Sequence, residues 1–307
     1  MLTIILGVVA PVAAILAVGF VWDRLRQPFD AGFVGSLVYY IGGPCLTFTT
    51  LVTFDFTPGA RRLALATLAL FLVVGIVGAV ALRALKLRPR WYLNTVLFPN
   101  LGNMGLPLAF FAYGDAGLAL SVVIFTIGSV LHSTLGIWIV SGRISPIELF
   151  KAPLLYATLA AIAIHELALP APEFLLQAAG ILGGMTIPLM LLSLGVSLSR
   201  MKVHNTRRAA TLASLRLGLG LGFGVAVAWM FDLSPLERGL LVLNSAMPSA
   251  VFNYLLAERF KAAPEDVAGG VALSTLAAFA LLPFVLAFVL CDRRAAPRLG
   301  PSRGSSS

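Results

Sequence analysis

The sequence predicts an all-α membrane protein: ten transmembrane helices in two five-helix sets, the second inserted upside down relative to the first. Three observations predict it. Of the 307 residues, 59% are hydrophobic and only 11% are charged, with a mean hydropathy of +0.95, whereas a soluble domain carries about 25% charged residues. Apolar runs of roughly bilayer length recur along the whole chain. Prolines, glycines and asparagines then recur at matching places in the two halves. A water-soluble fold of this size would have to expose most of its Leu, Val, Ala and Phe, which excludes a soluble enzyme, a nucleic-acid binder and a disordered regulator.

The runs are 2–21, 31–53, 63–83, 91–112, 116–140, 153–168, 173–199, 209–230, 237–257 and 267–290. The first is read as a retained span, because the first charge is Asp23 and no basic segment precedes the apolar run. Spans 2 and 7 carry Gly43-Pro44 and Ile187-Pro188. Spans 3 and 8 are glycine-rich, with Gly75 and Gly78 against Gly218, Gly220, Gly222 and Gly224; pairs such as Gly218/Gly222 suit close helix packing. Spans 4 and 9 carry Asn103-Met104-Gly105-Leu106-Pro107 and Asn244-Ser245-Ala246-Met247-Pro248. Spans 5 and 6 hold His132 and His165, which titrate near neutral pH when unperturbed and are expected to serve as structural hydrogen-bonding groups. Span 6 is the shortest, preceded by a brief interfacial turn at 149–153. These divisions give a first repeat over 1–142, a second over 143–291, and a Pro/Gly/Ser-rich tail over 292–307 that is expected to be disordered.

The formal charge of +9 is expected to sit in loops that stay in the cytoplasm rather than to mark nucleic-acid binding. Fourteen Lys and Arg lie in or beside the loops after the odd-numbered spans and seven on the opposite side, with Arg216 alone well inside a span. This bias puts the odd loops in the cytoplasm and both termini outside the cell membrane. Arg216 lies about two turns inside span 8 and is expected to snorkel to the nearby interface. Cys45 and Cys291 stand far apart in apolar stretches, which speaks against a disulfide framework or a thiolate metal site.

The two halves match in detail. Pro44 and Pro107 are 63 residues apart, Pro188 and Pro248 are 60 apart, and Pro107 and Pro248 each have an asparagine four residues earlier. Proline removes a helix donor and clashes with the preceding turn, and glycine weakens the helix beside it. The stretch 99–107 should therefore unwind near mid-membrane. Irregular backbone at that depth is tolerated where it lines a cavity or is covered by protein. Discontinuous helices at corresponding places in two halves point to a carrier's binding site.

These same residues carry a family resemblance. Phe98-Pro99-Asn100, Gly105, Pro107 and Gly114-Asp115 resemble the fourth span of the auxin efflux carrier family. Pro248 with Ala257-Glu258-Arg259-Phe260 resembles its ninth span, and Ile187-Pro188 through Gly195 its seventh. The resemblance implies two inverted five-helix repeats, related in outline to bile-acid sodium symporters, with spans 4 and 9 crossing at their broken centres. It implies a scaffold of spans 1, 2, 6 and 7, often a homodimer surface, and a transport unit of spans 3–5 and 8–10. It also implies export or exchange of organic anions, auxin in the plant PIN-FORMED members and malonate- or malate-like acids in bacterial ones. There is no large loop between spans 5 and 6, and Asn253 stands where plant members tend to have a second proline; both features favour a small bacterial member.

The site chemistry follows from what the spans contain. No acidic residue lies clearly inside a span, so a carboxylate proton relay is not expected. Two broken helices offer N-terminal ends with free N–H groups and about half a positive charge each. Asn100, Asn103, Asn244, Ser245 and Asn253 add neutral donors around the breaks formed by Gly105, Pro107 and Pro248. Such a site holds a carboxylate without burying a full cation. Each asparagine also admits the plainer role of an interhelical hydrogen bond. The expected protein is a secondary transporter of a mono- or dicarboxylate working by alternating access, with a passive anion channel as the alternative. Energetically, either a uniport driven by the membrane potential or a cation held by carbonyls and amides fits. No cofactor is called for: phosphate loops and zinc-ligand spacings do not appear. The partners are the anion and the lipid bilayer.

Overall fold

The computed structural model describes residues 2–54, 57–143, 153–167, 169–201 and 203–295. Among them the chain is helical throughout, with no β-strand and one isolated bridge. The helices are α1 (Leu2–Arg24), α2 (Ala31–Val52), α3 (Pro58–Ala84), α4 (Pro89–Leu97), α5 (Leu101–Ser141), α6 (Pro153–Glu166), α7 (Glu173–Arg200), α8 (Thr206–Met230), α9 (Pro235–Ser245), α10 (Val251–Arg259) and α11 (Pro264–Ala295). The turn expected at 149–153 and most of the tail expected at 292–307 lie outside the described residues; α11 itself continues to Ala295.

Seven of these stretches are long and apolar enough to cross a bilayer: α1, α2, α3, α5, α7, α8 and α11. The difference from ten has a physical cause at each place. Span 6 corresponds to α6, only 14 residues long. Span 9 is divided into α9 and α10, of 11 and 9 residues. Span 4 is divided into the 9-residue α4 and the start of α5, whose 41 residues run on through span 5. Within α5 the helix is interrupted at Gly114, with φ 68° and ψ −154°, a backbone that a residue with a Cβ strongly disfavours.

Capping sets the starts. Thr57 accepts from the Ala60 N–H ahead of Pro58, and Asn205 from the Arg208 N–H. Ser234 and Glu237 form a reciprocal capping box at α9. The helices then pack through small residues. A Cβ on Gly19 would strike the Leu192 carbonyl, and one on Gly195 the Leu16 carbonyl, so α1 and α7 approach backbone to backbone. The proline kinks of α2 and α7 also meet: a Cβ on Gly42 would press on Thr186 Oγ1, and one on Gly183 on the Leu46 backbone.

Two sets of helices emerge from the packing. α1, α2, α6 and α7 pack mainly among themselves, while α8 packs against α3, α4, α9 and α11. Within the second set, Asp266 of α11 accepts from Tyr92 OH of α4 (2.8 Å) and from Arg208 Nη1 of α8 (2.7 Å). The main buried cluster, including Phe71, Phe98, Met104, Leu191 and Leu243, lies where the sets meet around the interrupted helices.

Candidate functional site

The break in α4–α5 is narrower than the sequence suggests, and it lies earlier. Pro99 drives the residue before it out of the helical region: Phe98 is extended, with φ −96° and ψ 107°. Residues 101–105, expected to unwind, instead form a π-turn that opens α5. The wider i→i+5 repeat accommodates Pro107, which stands in the first turn of the α-helix that follows. In the second half the chain leaves α9 after Ser245 and re-enters helix at Val251.

The two interruptions lie against each other. Pro99 and Ser249 form an antiparallel bridge. The Asn100 N–H donates to the Pro248 carbonyl (2.7 Å) and the Ala250 N–H to the Phe98 carbonyl (3.1 Å). Ser274 Oγ of α11 accepts from the Ser249 N–H (3.1 Å). Backbone donors and acceptors freed by one break are thus satisfied by the other, which makes irregular backbone tolerable in an apolar interior.

The predicted site residues divide by what their atoms already do. Asn253 donates to the Phe98 carbonyl (3.1 Å) and Ser249 Oγ (2.9 Å), so both its N–H groups are spent holding the breaks together. Asn244 donates to Ser121 Oγ (3.0 Å) and the Leu240 carbonyl (2.9 Å), leaving its Oδ1 open. Gly105 makes room for that oxygen, which a Cβ there would meet at 2.5 Å. Ser245 Oγ returns to the Val242 carbonyl (2.8 Å). Asn100 is different. Its Oδ1 accepts from the Asn103 N–H (3.3 Å) and caps the π-turn, while its buried Nδ2 has no partner. Asn103 itself is half-buried on the same turn. Helix α10 begins without any side-chain cap, which leaves its N-terminal end open to an acceptor.

Arg216 overturns the snorkelling expected of it. It is 2% exposed and points inward. Nη1 donates to the Val96 (2.7 Å) and Leu97 (2.9 Å) carbonyls at the C-terminus of α4, and Nη2 donates to the Ser245 carbonyl (2.7 Å) at the C-terminus of α9. One guanidinium therefore closes both helix ends that lead into the paired breaks. The glycines of α8 serve this contact. A Cβ on Gly220 would strike Arg216 Nη2 and the Ser245 carbonyl, and one on Gly224 would strike Ser245 Oγ. Gly218 and Gly222, the expected packing pair, face open space. The spacing Arg216, Gly220, Gly224 at every fourth residue was the available signal.

His132 stacks on Phe98 at 4.1 Å between ring centroids and meets Phe252 edge-on at 5.1 Å. The π-turn it opens presents the Gly136 carbonyl to Asn94 Nδ2 (2.8 Å), fixing α4 against α5. A cavity of about 20 Å³, lined by Thr67, Phe71, Pro99, Arg216, Asn244 and Ser245, adjoins the paired breaks. That is room for a single water-sized group. Among the described residues, the buried charged side chains are Arg216 and Glu237, and no cluster of His, Cys, Asp and Glu suits a metal.

Comparison with known proteins agrees with a transport role. The family model described as a membrane transport protein matches residues 137–286. An uncharacterized transporter of Methanothermobacter thermautotrophicus is 26% identical over 267 residues, covering 83% of this chain and 87% of its own length. An uncharacterized transporter of Methanocaldococcus jannaschii is 25% identical over 302 residues, covering 92% of this chain and 97% of its own. These likenesses extend over nearly the whole chain, well beyond the motifs of spans 4 and 9, and they support a multi-pass membrane transporter similar to the auxin efflux carrier family.

Proposed function

We propose that the protein is a secondary carrier of a small organic anion, a mono- or dicarboxylate, with ten spans in two inverted repeats and the substrate held where spans 4 and 9 cross. The observation that carries this reading is the charge at the crossing. Two helix N-terminal ends and two C-terminal ends meet there, about half a charge each and cancelling. Arg216 neutralises the two C-terminal ends, so the N-terminal ends are left with a surplus of about one positive charge. An anion completes the balance. Asn100 Nδ2, Asn103 and the uncapped start of α10 are the donors that would meet it.

The two packing sets support a scaffold of α1, α2, α6 and α7 and a transport unit of the remaining helices. A cavity of about 20 Å³, lined by α3, α4, α5, α8 and α9, is far too small for a carboxylic acid, so admitting one requires the helices around it to rearrange. That requirement is the physical content of alternating access. The basic-residue bias supports odd loops in the cytoplasm and termini outside the cell membrane. Radiolabelled mono- and dicarboxylates in proteoliposomes test the reading. A carrier gives saturable flux accelerated by substrate on the far side. Linear flux with resolvable single-channel currents would establish a channel instead.

A further inference from the structure

We propose that Arg216 is a tethered cation that permanently fills the crossing's cation position, so that transport requires no sodium or potassium ion. The inference rests on the carrier reading and decides between its two forms of coupling. In carriers with discontinuous helices, coupling cations are held by the C-terminal ends of half-helices and by carbonyls of unwound backbone. Those groups are present here, and a guanidinium already occupies them. Val96, Leu97 and Ser245 present three carbonyls from two arms to Arg216 at 2.7–2.9 Å.

Three further features fit a permanent occupant. The side chain is 2% exposed, and a buried charge persists only when paired and hydrogen-bonded; here two helix C-terminal ends supply about one negative charge between them. The planar guanidinium bridges two separated carbonyl sets, which a compact alkali ion or an ammonium does less well. Gly220 and Gly224 remove the Cβ atoms that would block the approach. The other buried charge, Glu237, is engaged in the capping box at the far end of α9 and does not compete. Arg216 belongs to α8, which packs against both α4 and α9, so it would travel with the arms it closes.

The test uses the purified full-length protein, melted in sodium, potassium or choline chloride at one ionic strength. Wild type should melt within about 1 °C in all three, and its counterflow should not change when choline replaces sodium. Arg216→Ala should melt lower and regain a few degrees, saturably, on adding sodium or low guanidinium. Arg216→Lys should stay folded with a lowered Tm and no response to alkali ions. Stabilisation of wild type by sodium over choline would overturn the proposal, as would an Arg216→Ala protein indifferent to every cation. If Arg216→Ala does not accumulate, wild type and Arg216→Lys decide the matter by the same criteria. Absence of flux in wild type would count against the carrier reading alone, because the melting shift needs no substrate.

Discussion

Asn100 has one side-chain atom engaged and one open, and a single substitution separates them. Its Oδ1 caps the π-turn through the Asn103 N–H at 3.3 Å, and its buried Nδ2 has no partner. Asn100→Ser keeps a good capping oxygen and removes the amide donor. Asn100→Ala removes both. If Nδ2 meets the substrate carboxylate, Asn100→Ser loses a hydrogen bond to a charged group, about 1.5–3 kcal/mol, or roughly ten- to a hundredfold in apparent affinity. Its melting temperature should stay near that of wild type. Asn100→Ala should lose the same affinity and also the cap, about 0.5–2 kcal/mol, which lowers the melting temperature as well. The assay pairs counterflow titration in proteoliposomes with melting in detergent. Asn100→Ser protein that melts like wild type and transports with unchanged affinity would refute the donor assignment and leave Asn100 a cap only.

Asn253→Ala should behave oppositely, because its amide is spent on Phe98 and Ser249: a stability loss of about 1–3 kcal/mol with unchanged affinity, read by the same two assays. Gly220→Ala should cost about 1–3 kcal/mol by crowding Arg216 and Ser245, whereas Gly218→Ala and Gly222→Ala, with open space around them, should melt like wild type. Carrying one net charge across 100 mV is worth about 2.3 kcal/mol, so an imposed potential should sustain about a fiftyfold anion gradient; flux indifferent to voltage but dependent on a pH gradient would contradict a uniport. In a background with Cys45 and Cys291 replaced by serine, a cysteine at exposed Lys86 should react with an impermeant thiol reagent only from the cytoplasmic side. The companion position for that labelling, Lys202, lies outside the described residues.

A tethered cation at Arg216 would change how a carrier resets. A free coupling ion leaves the site empty of charge when it dissociates, whereas a guanidinium on α8 does not dissociate. On the carrier reading proposed above, the site would then keep its positive surplus through the whole cycle. The empty carrier would return carrying that charge, and the loaded one nearly neutral. Voltage would therefore act mainly on the return of the empty form, a distinction that pre-steady-state currents measured with and without substrate resolve.

The membrane class and the presence of an interruption near Pro99 and another near Pro248 followed from the sequence, because each depends on local chemistry. Bilayer-length apolar runs fix the helices, and Pro99 forces Phe98 out of helix wherever the chain goes next. The matched asparagines and prolines pointed to the two breaks for the same reason. What each asparagine does there was not legible. Asn253 and Asn100 look alike in sequence, yet one is saturated by Phe98 and Ser249 and the other keeps an open amide. Arg216 was misread for a deeper reason. Distance from the span's end suggested an exposed head group, but its partners are backbone carbonyls 120, 119 and 29 residues away. A carbonyl carries no side-chain signature, and α8 is apolar on nearly every side, so the spacing of Arg216, Gly220 and Gly224 marks a face without saying what that face meets. Only when α4 and α9 end at the same point in space do their terminal carbonyls become a site that a buried guanidinium can fill.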